Sequence, residues 1–397
     1  MYSLQVLFDG EAMSMGVIEP ITIVNGRTDL TSGLTKFYCT VSVFRKALQD
    51  TFTTAGRDVR LLGAGSPLQV QMKKTGGSTW VTVFDGTVTD TSSDADQIQL
   101  TAVDKDLIVL GRTPYNPVGN GFPMTVAELQ KIAANNAGIS NWWSTNFLFF
   151  QDYLLGVPSL GSTESTATLI ERFGQEGYRA LTRINVPSKK SDSNFGVGQN
   201  ISFYNSPTRL TLDSNDVDKN YNLNRGIGDM VNDVVITKGG NAGNLGGTST
   251  AVDATSLAEI GEINYTFDSW LYRQTDRDEA AFYNLAKRSA RGWPLFELTT
   301  SYDRISAQFT DEIDCYEKII PANGVDTSAI TEPYIQTKAF IQQVTHRLFK
   351  SHWSMSLLLA DAKNVDLPQM WKDVTSTLKW GDVSSELTWD MIRTFEI

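Results

Sequence analysis

A strand followed by a glycine-rich loop constrains the fold of this chain more than any other stretch. Residues 229–238 hold four β-branched apolar side chains between polar neighbours: Val231, Val234, Val235 and Ile236. This composition predicts a largely buried strand. Residues 239–247 are mostly glycine and asparagine, which predicts that the strand ends there in a loop. Residues 256–261 begin with serine and end with glycine, which predicts a short capped turn.

The charge of the chain restricts the surfaces that it can bind. Its 397 residues carry a formal net charge of -11, and 41% of them are hydrophobic. That length predicts two or three domains, and that hydrophobic content predicts folded cores. An acidic protein is repelled by nucleic-acid backbones and by anionic membranes. Tight backbone binding is therefore disfavoured, although an acidic wall suits a channel through which DNA slides.

Cysteine usage and the apolar runs predict a protein assembled in the cytoplasm without a membrane segment. Cys39 lies in an alternating strand pattern, and Cys315 is far from it in the sequence. Neither a disulfide framework nor a metal-binding spacing is present, which is typical of a reducing compartment. The first residues lack the pattern of a signal peptide. Gln151 and Asp152 break the most apolar run, which is too short to cross a bilayer.

Residues 1–112 carry the signature of a β domain. Apolar residues alternate with polar ones in several short segments, a pattern that predicts strands with one buried face throughout. Asp85 and Gly86 interrupt one of these segments, which predicts a bulge or a tight bend. Strands this short and this closely spaced favour a small barrel or a sandwich. The inward residues are predicted to include Phe37, Cys39, Val41 and Val43.

Three motifs of this region and the opening motif resemble one protein family. Residues 83–88 read Val-Phe-Asp-Gly-Thr-Val, residues 99–104 read Gln-Leu-Thr-Ala-Val-Asp, and residues 107–112 end in Leu-Gly-Arg. Their order is similar to that in the first barrel of tail hub proteins of long-tailed bacteriophages. The Val-Asn-Asp-Val strand, the glycine-rich loop and the Ser-x-x-x-x-Gly turn resemble the second barrel of the same proteins. The versions in siphophages of actinobacteria are the most similar.

Residues 113–200 differ in character and predict a small mixed α/β domain. Thr125 and Glu128 form a capping-box pattern at the start of a predicted helix that ends near Gly138. A second helix is predicted over residues 165–177, and an exposed loop over residues 187–199. By its position, this segment resembles the small domain that hub proteins insert between their two barrels.

β patterning returns over residues 201–362. A helix is predicted over residues 276–291, because its acidic residues come early and its basic residues come late. Residues 340–348 and 354–360 predict a closing antiparallel pair of strands. The positions of His346 and Trp353, followed by an Ala-Asp exit, resemble the end of the second barrel of the family.

The last segment, residues 363–397, carries an internal repeat. Trp371, Trp380 and Trp389 stand nine residues apart, and Leu378 and Leu387 recur between them. A period of nine fits neither a heptad nor an even strand period, so one continuous helix or strand is disfavoured. One interpretation is a tail that buries its indoles on its own domain. The other, which we adopt as the prediction, is an extended arm that docks these five side chains on a neighbouring subunit.

Catalytic motifs are missing from the sequence. It contains no complete phosphate-binding loop, no His-Glu-x-x-His and no Gly-x-Ser-x-Gly. His346 and His352 lack the spacing of metal ligands, which favours structural roles for both. Asp90, Asp94 and Asp96 lack the glycine and the terminal glutamate of a calcium loop, which favours a solvated hairpin tip. A glycan hydrolase stays open as an alternative, because 45 acidic residues always offer carboxylate pairs. An adhesin that presents Trp and Tyr to host sugars is the second alternative.

These patterns predict a mainly β protein with α+β insertions that acts in a structural role. The resemblance implies a hub barrel over residues 1–112, a mixed domain over 113–200, a second hub barrel over 201–362 and the arm over 363–397. It further implies a homotrimer in the virion tail that joins the six-fold tail tube to a three-fold tip. The implied partners are a distal tail or tail-tube protein, other tail-tip proteins and the tape measure protein. DNA would pass through the channel without specific binding, and neither a cofactor nor an enzymatic activity is expected.

Overall fold

The computed structural model describes nine long stretches of the chain and nine short ones. The long stretches are residues 2–13, 16–27, 36–56, 63–113, 230–238, 247–288, 296–301, 324–329 and 338–361. The short ones are residues 124–125, 135–138, 142–144, 154–155, 165–168, 171–172, 180–184, 195–199 and 208–213.

Strands dominate the architecture and helices are few, which confirms the predicted mainly β fold class. The four longer helices are α1 Arg45–Thr54, α2 Lys105–Arg112, α3 Ala254–Ile260 and α4 Gln274–Arg288. The strands are β1 Tyr2–Phe8, β2 Glu11–Met13, β3 Val17–Gly26, β4 Lys36–Phe44, β5 Pro67–Lys74, β6 Val81–Ser93, β7 Gln97–Asp104, β8 Met124–Thr125, β9 Trp142–Ser144, β10 Leu154–Leu155, β11 Ala180–Ile184, β12 Phe195–Gln199, β13 Thr208–Asp213, β14 Asp233–Lys238, β15 Ser249–Val252, β16 Asn264–Ser269, β17 Phe296–Ser301, β18 Gly324–Ala329, β19 Lys338–Leu348 and β20 Trp353–Asp361. Within these ranges, no helix is both long enough and apolar enough to span a bilayer.

One sheet joins the beginning of the described chain to its end. Its 12 strands include the path β13-β18-β19-β3-β4-β7-β6-β5-β1-β2, with β20 paired to β19 and β17 paired to β20. The link is β19, which pairs antiparallel with β3 on one side and with β20 on the other. His346 of β19 therefore stands opposite Ile23 of β3 and Met355 of β20. The first and last strands are thus parts of a single hydrogen-bonded layer.

The hydrophobic core crosses this junction as well. The predicted inward residues of β4 are all buried, which confirms the alternating pattern: Phe37, Cys39, Val41 and Val43. The same core cluster contains Ile21 of β3 together with Leu348 and Trp353 from the end of the chain. Burial of these apolar side chains stabilises the two ends against each other. The domain boundaries at residues 112, 200 and 362 stay a prediction.

The closing antiparallel pair is confirmed. Trp353 pairs with Leu348 at the start of β20, and Asp361 pairs with Ala339 at its end. The tight turn between the strands contacts β3, since Lys350 N donates to Oε2 of Glu19 over 3.1 Å. Its Nζ lies 3.7 Å from Oε1 of the same carboxylate. This contact fixes the turn against the first half of the sheet.

Two helices correct the prediction that residues 1–112 are β throughout. The side chains of Leu48 and Phe52 lie four residues apart on one face of α1 and are buried. The ring centroid of Phe52 lies 5.0 Å from that of Phe8, so α1 covers the apolar side of β1. Helix α2 begins where the side chain of Asp104 accepts a hydrogen bond of 2.8 Å from Asp106 N. Helices of two or three turns leave only a short periodic pattern in the sequence, which is hard to recognise between segments with a strand pattern.

β6 has two bulges, and neither is at the predicted position. In its pairing with β7, Val88 lies opposite Ala102 and Asp90 opposite Thr101, so Thr89 is one extra residue. The other bulge lies in its pairing with β5. Phe84 pairs with Val70 and Thr82 pairs with Gln71, so Val83 is the extra residue rather than Asp85 or Gly86. Gly86 is required for a different reason. A Cβ at this position would clash with the backbone carbonyl oxygen of Val103 and would lie 2.7 Å from the ring of Phe84. Glycine therefore permits close packing at this position.

The short segments between residues 124 and 213 correct two further predictions. Thr125, predicted to cap a helix, lies in β8 and pairs with Leu154 of β10. Residues 195–199, predicted as part of an exposed loop, form β12 between β11 and β9. Residues 135–136 are helical and Gly138 has a φ of 73°, which agrees with the predicted end of the helix. Residues 166–168 and 171–172 are also helical, within the second predicted helix.

A three-stranded sheet in the order β15-β14-β16 contains the strand of the opening motif. β14 runs parallel to β16 and antiparallel to β15. Val231, Val234 and Ile236 are buried as predicted, whereas Val235 is only partly covered. The predicted helix over residues 276–291 is confirmed as α4, which begins two residues earlier and packs on β14 and β15.

Candidate assembly surfaces

The five side chains predicted to dock on a neighbour lie outside the described residues, and so do residues 239–246 of the glycine-rich loop. The docking residues are Trp371, Leu378, Trp380, Leu387 and Trp389. Their predicted role therefore stays a prediction. The described residues do show how the start of β14 and the exit of the loop are held, and they contain a groove of a size suited to a peptide.

Asn232 connects the entry of the loop-bearing strand to both ends of α3. Its side chain is 1% exposed. Oδ1 accepts a hydrogen bond of 2.7 Å from Ile263 N, and Nδ2 donates one of 2.6 Å to the carbonyl of Gly261. Its backbone carbonyl accepts from Asp253 N over 2.9 Å. The side-chain amide supplies a donor and an acceptor together, so it satisfies two backbone groups, and the backbone carbonyl of Asn232 satisfies a third.

The predicted turn at residues 256–261 is the helix α3, and its cap is Asp253 rather than Ser256. The carboxylate of Asp253 accepts from Thr255 N over 3.2 Å and from Ser256 N over 3.1 Å. An acidic N-cap of this kind satisfies the first free amides of a helix. Gly261 closes the helix with a φ of 83°, as its place in the motif predicted. Ser256 is instead buried beside Asn232.

Gln274 holds the exit of the glycine-rich loop. Its Oε1 accepts a hydrogen bond of 2.7 Å from Gly247 N. Its Nε2 donates to Ser249 Oγ over 2.7 Å and to Asp278 Oδ1 over 2.8 Å. The first turn of α4 therefore fixes the start of β15, while Asn232 fixes the start of β14.

A groove of about 900 Å³ lies between the edge strand β2, helix α1 and the tip of the β6–β7 hairpin. Phe44 lies at its rim and is 49% exposed, although it ends a strand whose inward residues are fully buried. Strand β2 pairs only with β1 among the described strands. An exposed aromatic ring beside an unpaired strand edge is typical of surfaces that bind a peptide. The sequence patterns do not reveal this groove, because they predict no helix over residues 45–54.

The groove presents charges of both signs. Arg45 and Lys46 occupy the first turn of α1, where the helix dipole adds further positive charge. Arg45 Nη2 donates to the carbonyl of Asp94 over 2.5 Å, and its backbone N donates to the carbonyl of Asp96 over 2.8 Å. Glu11 on β2, Asp50 in the middle of α1 and Asp96 beside Arg45 supply negative charge along the lining.

The three buried titratable side chains with shifted pKa values are His346, Asp104 and Cys39, and all of them lie away from the groove. His346 is fully buried, its Nδ1 accepts from the Trp353 indole over 3.0 Å, and burial lowers its pKa to about 3. Burial is also the main cause that raises the pKa of Asp104 to about 7. Cys39 is a free, buried thiol whose pKa is raised by the same desolvation. At neutral pH His346 and Cys39 are uncharged, and none of the three borders the groove.

The acidic hairpin tip is held by its own backbone. Asp94 Oδ1 accepts from Asp96 N over 3.0 Å and from Gln97 N over 2.7 Å. This is the geometry of an Asx turn, in which the side chain replaces a backbone acceptor. Among the residues that the structure describes, no group of three or more His, Cys, Asp or Glu side chains could hold a metal ion.

Comparisons with known proteins identify relatives by structure alone. No model of a known protein family matches the sequence, and no curated protein sequence matches it significantly. The fold is similar to that of the tail protein from Neisseria meningitidis MC58, with a TM-score of 0.60 at 14% identity over 92% of this chain and 99% of the other. It is also similar to the 43 kDa tail protein of prophage MuSo2 from Shewanella oneidensis, with a TM-score of 0.59 at 12% identity and the same coverage. At such identities the likeness shows a shared fold.

Proposed function

We propose that this chain is a structural protein of a phage-type tail, and more narrowly the hub at the tail tip. The observation that carries the proposal is the agreement of fold along almost the whole length of two tail proteins, 92% of this chain and 99% of each of them. The single sheet that joins β3 to β19 supports a rigid ring segment, because it ties the two ends of the described chain together. The motifs that resemble hub proteins of actinobacterial siphophages support the narrower role.

In this role three copies form a ring that adapts the six-fold tail tube to a three-fold tip. Each copy contributes two barrels, residues 1–112 and 201–362, with a small mixed domain between them. The ring contacts a distal tail or tail-tube protein, other tail-tip proteins and the tape measure protein in the virion tail, after assembly in the host cytoplasm. DNA passes through its channel during genome ejection, and the net charge of -11 supports an acidic or neutral wall.

The role we propose is not enzymatic. It is supported by the surroundings of the buried groups, since His346 faces an indole and Asp104 caps a helix. A hydrolase needs a nucleophile or a carboxylate pair that a substrate can reach. The rival functions are a cell-wall glycan hydrolase and a receptor-binding adhesin. The first predicts that the purified protein degrades host cell wall, and the second predicts that it binds host cells.

The test is the mass and shape of the purified full-length protein. A hub should give three times the 43.9 kDa of one chain in light scattering, and negative-stain images should show a ring with a central opening. A stable monomer at high concentration, both alone and in tail particles, would contradict the proposal. Binding of the isolated protein to host cells would favour the adhesin instead.

A further inference from the structure

We propose that the three-stranded sheet β15-β14-β16 continues from one copy of the chain into the next, with β16 of one copy paired antiparallel to β15 of its neighbour. In this register Thr266 stands opposite Thr250 of the neighbour, and Asn264 stands opposite Val252. The inference deepens the proposed tail-hub role, on which it rests for the presence of neighbouring copies. The partner is therefore a second copy of this chain.

The directions of the two outer strands are the first argument. Among the described strands, β15 and β16 pair with β14 alone, so each of them leaves one edge open. β16 runs parallel to β14, and β15 runs antiparallel to it. Two copies placed side by side in the same orientation therefore bring β16 against an antiparallel strand. Because the contact joins two different edges, it can repeat from copy to copy around a ring.

The hydrogen bonds of β15 identify the backbone groups that point away from the sheet. Asp253 N donates to the carbonyl of Asn232 over 2.9 Å, so every second residue of β15, counted back from Asp253, bonds to β14. Successive residues of a strand direct their amide and carbonyl groups to opposite sides. The N–H and C=O groups of Thr250 and Val252 therefore point outward.

The same reasoning identifies the outward groups of β16. Asp233 N donates to the carbonyl of Ile263 over 3.2 Å, so that carbonyl faces β14. The following N–H belongs to Asn264 and points the other way, because the two groups of one peptide unit are opposed. The alternation then directs the N–H and C=O groups of Asn264 and Thr266 outward.

The two open edges are equally long and are closed at the same end. The carbonyl of Asp268 on β16 accepts from Arg172 Nη2 over 3.3 Å. The carbonyl of Thr248, just before β15, accepts from Gln274 Nε2 over 3.4 Å. In the proposed register Asp268 stands opposite Thr248, so the carbonyls that already have partners lie together. The two residues that remain on each edge form two pairs, and each pair exchanges two hydrogen bonds.

The side chains of the two edges also lie on matching faces. Gln274 of α4 donates to Oγ of Ser249, which places α4 on the Ser249 face of the sheet. Thr250 lies on the opposite face, and so does Thr266, because both stand opposite Val235. The proposed pairing therefore keeps α4 of every copy on one side of the joined sheet and the open face on the other.

Apolar surface at both edges supports the contact. Val252, at the outer edge of β15, is 48% exposed. On the other side of the sheet α4 packs on β15 and β14, while Tyr265 and Phe267 of β16 are only partly covered, with ring centroids 5.5 Å apart. A neighbour that joins its β15 to β16 brings its own α4 beside these two rings. The apolar area buried in this way adds to the hydrogen bonds of the strands.

Disulfide formation in the full-length protein tests the register. Thr250→Cys and Thr266→Cys are combined in one chain. Within a chain the two positions lie on either side of β14, roughly 9.5 Å apart, which is too far for a disulfide. Between copies they lie directly opposite at roughly 5.5 Å, which a disulfide spans. We expect mild oxidation to link the copies covalently, with a three-chain product on a non-reducing gel.

The controls separate this pairing from other contacts. The parent chain, which carries Cys39 and Cys315, and each single variant should stay unlinked. Co-expression of the two single variants should give linked pairs and nothing larger. Thr250→Cys combined with Thr89→Cys, at an exposed threonine of β6, is the matched control and should give no link. A linked single variant would overturn the inference, because like edges would then meet, and so would an unlinked double variant.

Proline tests the outward amide without a disulfide. Thr266→Pro removes an N–H that does not bond to β14, so the thermal midpoint should change little. It should raise the concentration at which half of the copies dissociate by about tenfold, the scale of one buried hydrogen bond. Thr266→Ala keeps the N–H and should associate as the parent does. If the proline and alanine variants associate equally well in light scattering, the inference is wrong.

The mass of the assembly keeps the two proposals separate. If the protein is a trimeric ring but the double variant stays unlinked, the strand pairing is wrong and the hub proposal stands. If links form in an assembly of another size, the pairing is right and the three-fold hub is wrong. A protein that is monomeric at every concentration contradicts both.

Discussion

Trp353 donates a hydrogen bond of 3.0 Å from its indole nitrogen to Nδ1 of His346, across the turn that joins β19 and β20. The two rings meet edge to face with centroids 5.4 Å apart, and both side chains are fully buried. Since β19 also pairs with β3, this contact lies where a strand from the beginning of the chain meets the closing pair β19–β20. Because Nδ1 accepts this hydrogen bond, the proton of the neutral imidazole is on Nε2.

Removal of the indole donor should destabilise this junction. Trp353→Phe keeps most of the apolar volume but leaves His346 Nδ1 buried without its donor, which costs about 1 to 3 kcal/mol in the free energy of unfolding. Trp80→Phe is the matched control, because Trp80 is only partly buried and its ring packs under Lys73 Nζ. Urea unfolding should show a clear loss for the first variant and little change for the second. Equal losses would contradict the role given to the hydrogen bond.

Acid should weaken the fold through His346. Its pKa is lowered to about 3 by burial, so the folded state holds it neutral while the unfolded state binds a proton below pH 6.5. The stabilisation is present above pH 6.5 and is lost as the pH falls toward 3, by on the order of 1.4 kcal/mol per pH unit. His346→Asn should reduce this slope in unfolding measured at several pH values. His352→Asn, the same change at an exposed position, should leave the slope as it is.

Asp104 should have the opposite pH dependence. Burial raises its pKa to about 7, so the folded state favours the protonated acid, and its stabilisation is present below pH 4 and lost as the pH rises through 7. Asp104→Asn keeps an acceptor for Asp106 N without a charge. Relative to the parent chain, it should gain on the order of 3 kcal/mol of stability between pH 4 and pH 8. Asp94→Asn, which changes an exposed turn acid, is the control. If the difference in the free energy of unfolding between Asp104→Asn and the parent chain does not change with pH, this prediction is wrong.

Asn232→Ala should loosen the sheet that holds the glycine-rich loop. The substitution removes the side-chain partner of Ile263 N and of the Gly261 carbonyl, at a cost of about 1 to 3 kcal/mol for the two hydrogen bonds. Hydrogen exchange should become faster in β14 and β16. Asn264→Ala is the matched control, because Asn264 is exposed and its side chain donates only to Asp233 and accepts from Thr266. If both variants exchange alike, Asn232 is not the connection that we describe.

The arm should contribute to assembly rather than to folding. Deletion of residues 364–397 should leave the thermal midpoint almost unchanged while it weakens incorporation into tails. Each buried indole would stabilise the assembled state by roughly 2 to 3 kcal/mol before the cost of ordering the chain. Thermal unfolding and sedimentation of the truncated chain measure the two effects separately. Misfolding of that chain would show that the arm belongs to its own core.

Zymography of the purified protein on host cell wall should show no cleared band. The prediction rests on the lack of a nucleophile and base arrangement in the sequence. If a cleared band appears and a single Asp or Glu substitution abolishes it, the hydrolase alternative is established.

Much of the sheet could be predicted from short patterns. The alternation at Phe37, Cys39, Val41 and Val43 predicts the buried face of β4, because a strand turns successive side chains to opposite sides whatever its partners are. The closing pair β19–β20 and the helix α4 follow from local patterns in the same way. The motif from residue 229 to residue 261 predicted β14 and the closing glycine, but it gave no sign that Asn232 would bind both ends of α3.

The sequence by itself determined the mainly β class, the acidic charge and the face that each long strand buries, since these depend on residues that are neighbours along the chain. Only the tertiary structure decided that β3 pairs with β19, that the bulges of β6 fall at Val83 and Thr89 rather than at Gly86, and that α1 opens a groove beside Phe44. The physical reason is that a strand edge carries the same amide and carbonyl groups whatever its sequence. Its choice of partner depends on side chains more than 300 residues away, such as His346 opposite Ile23.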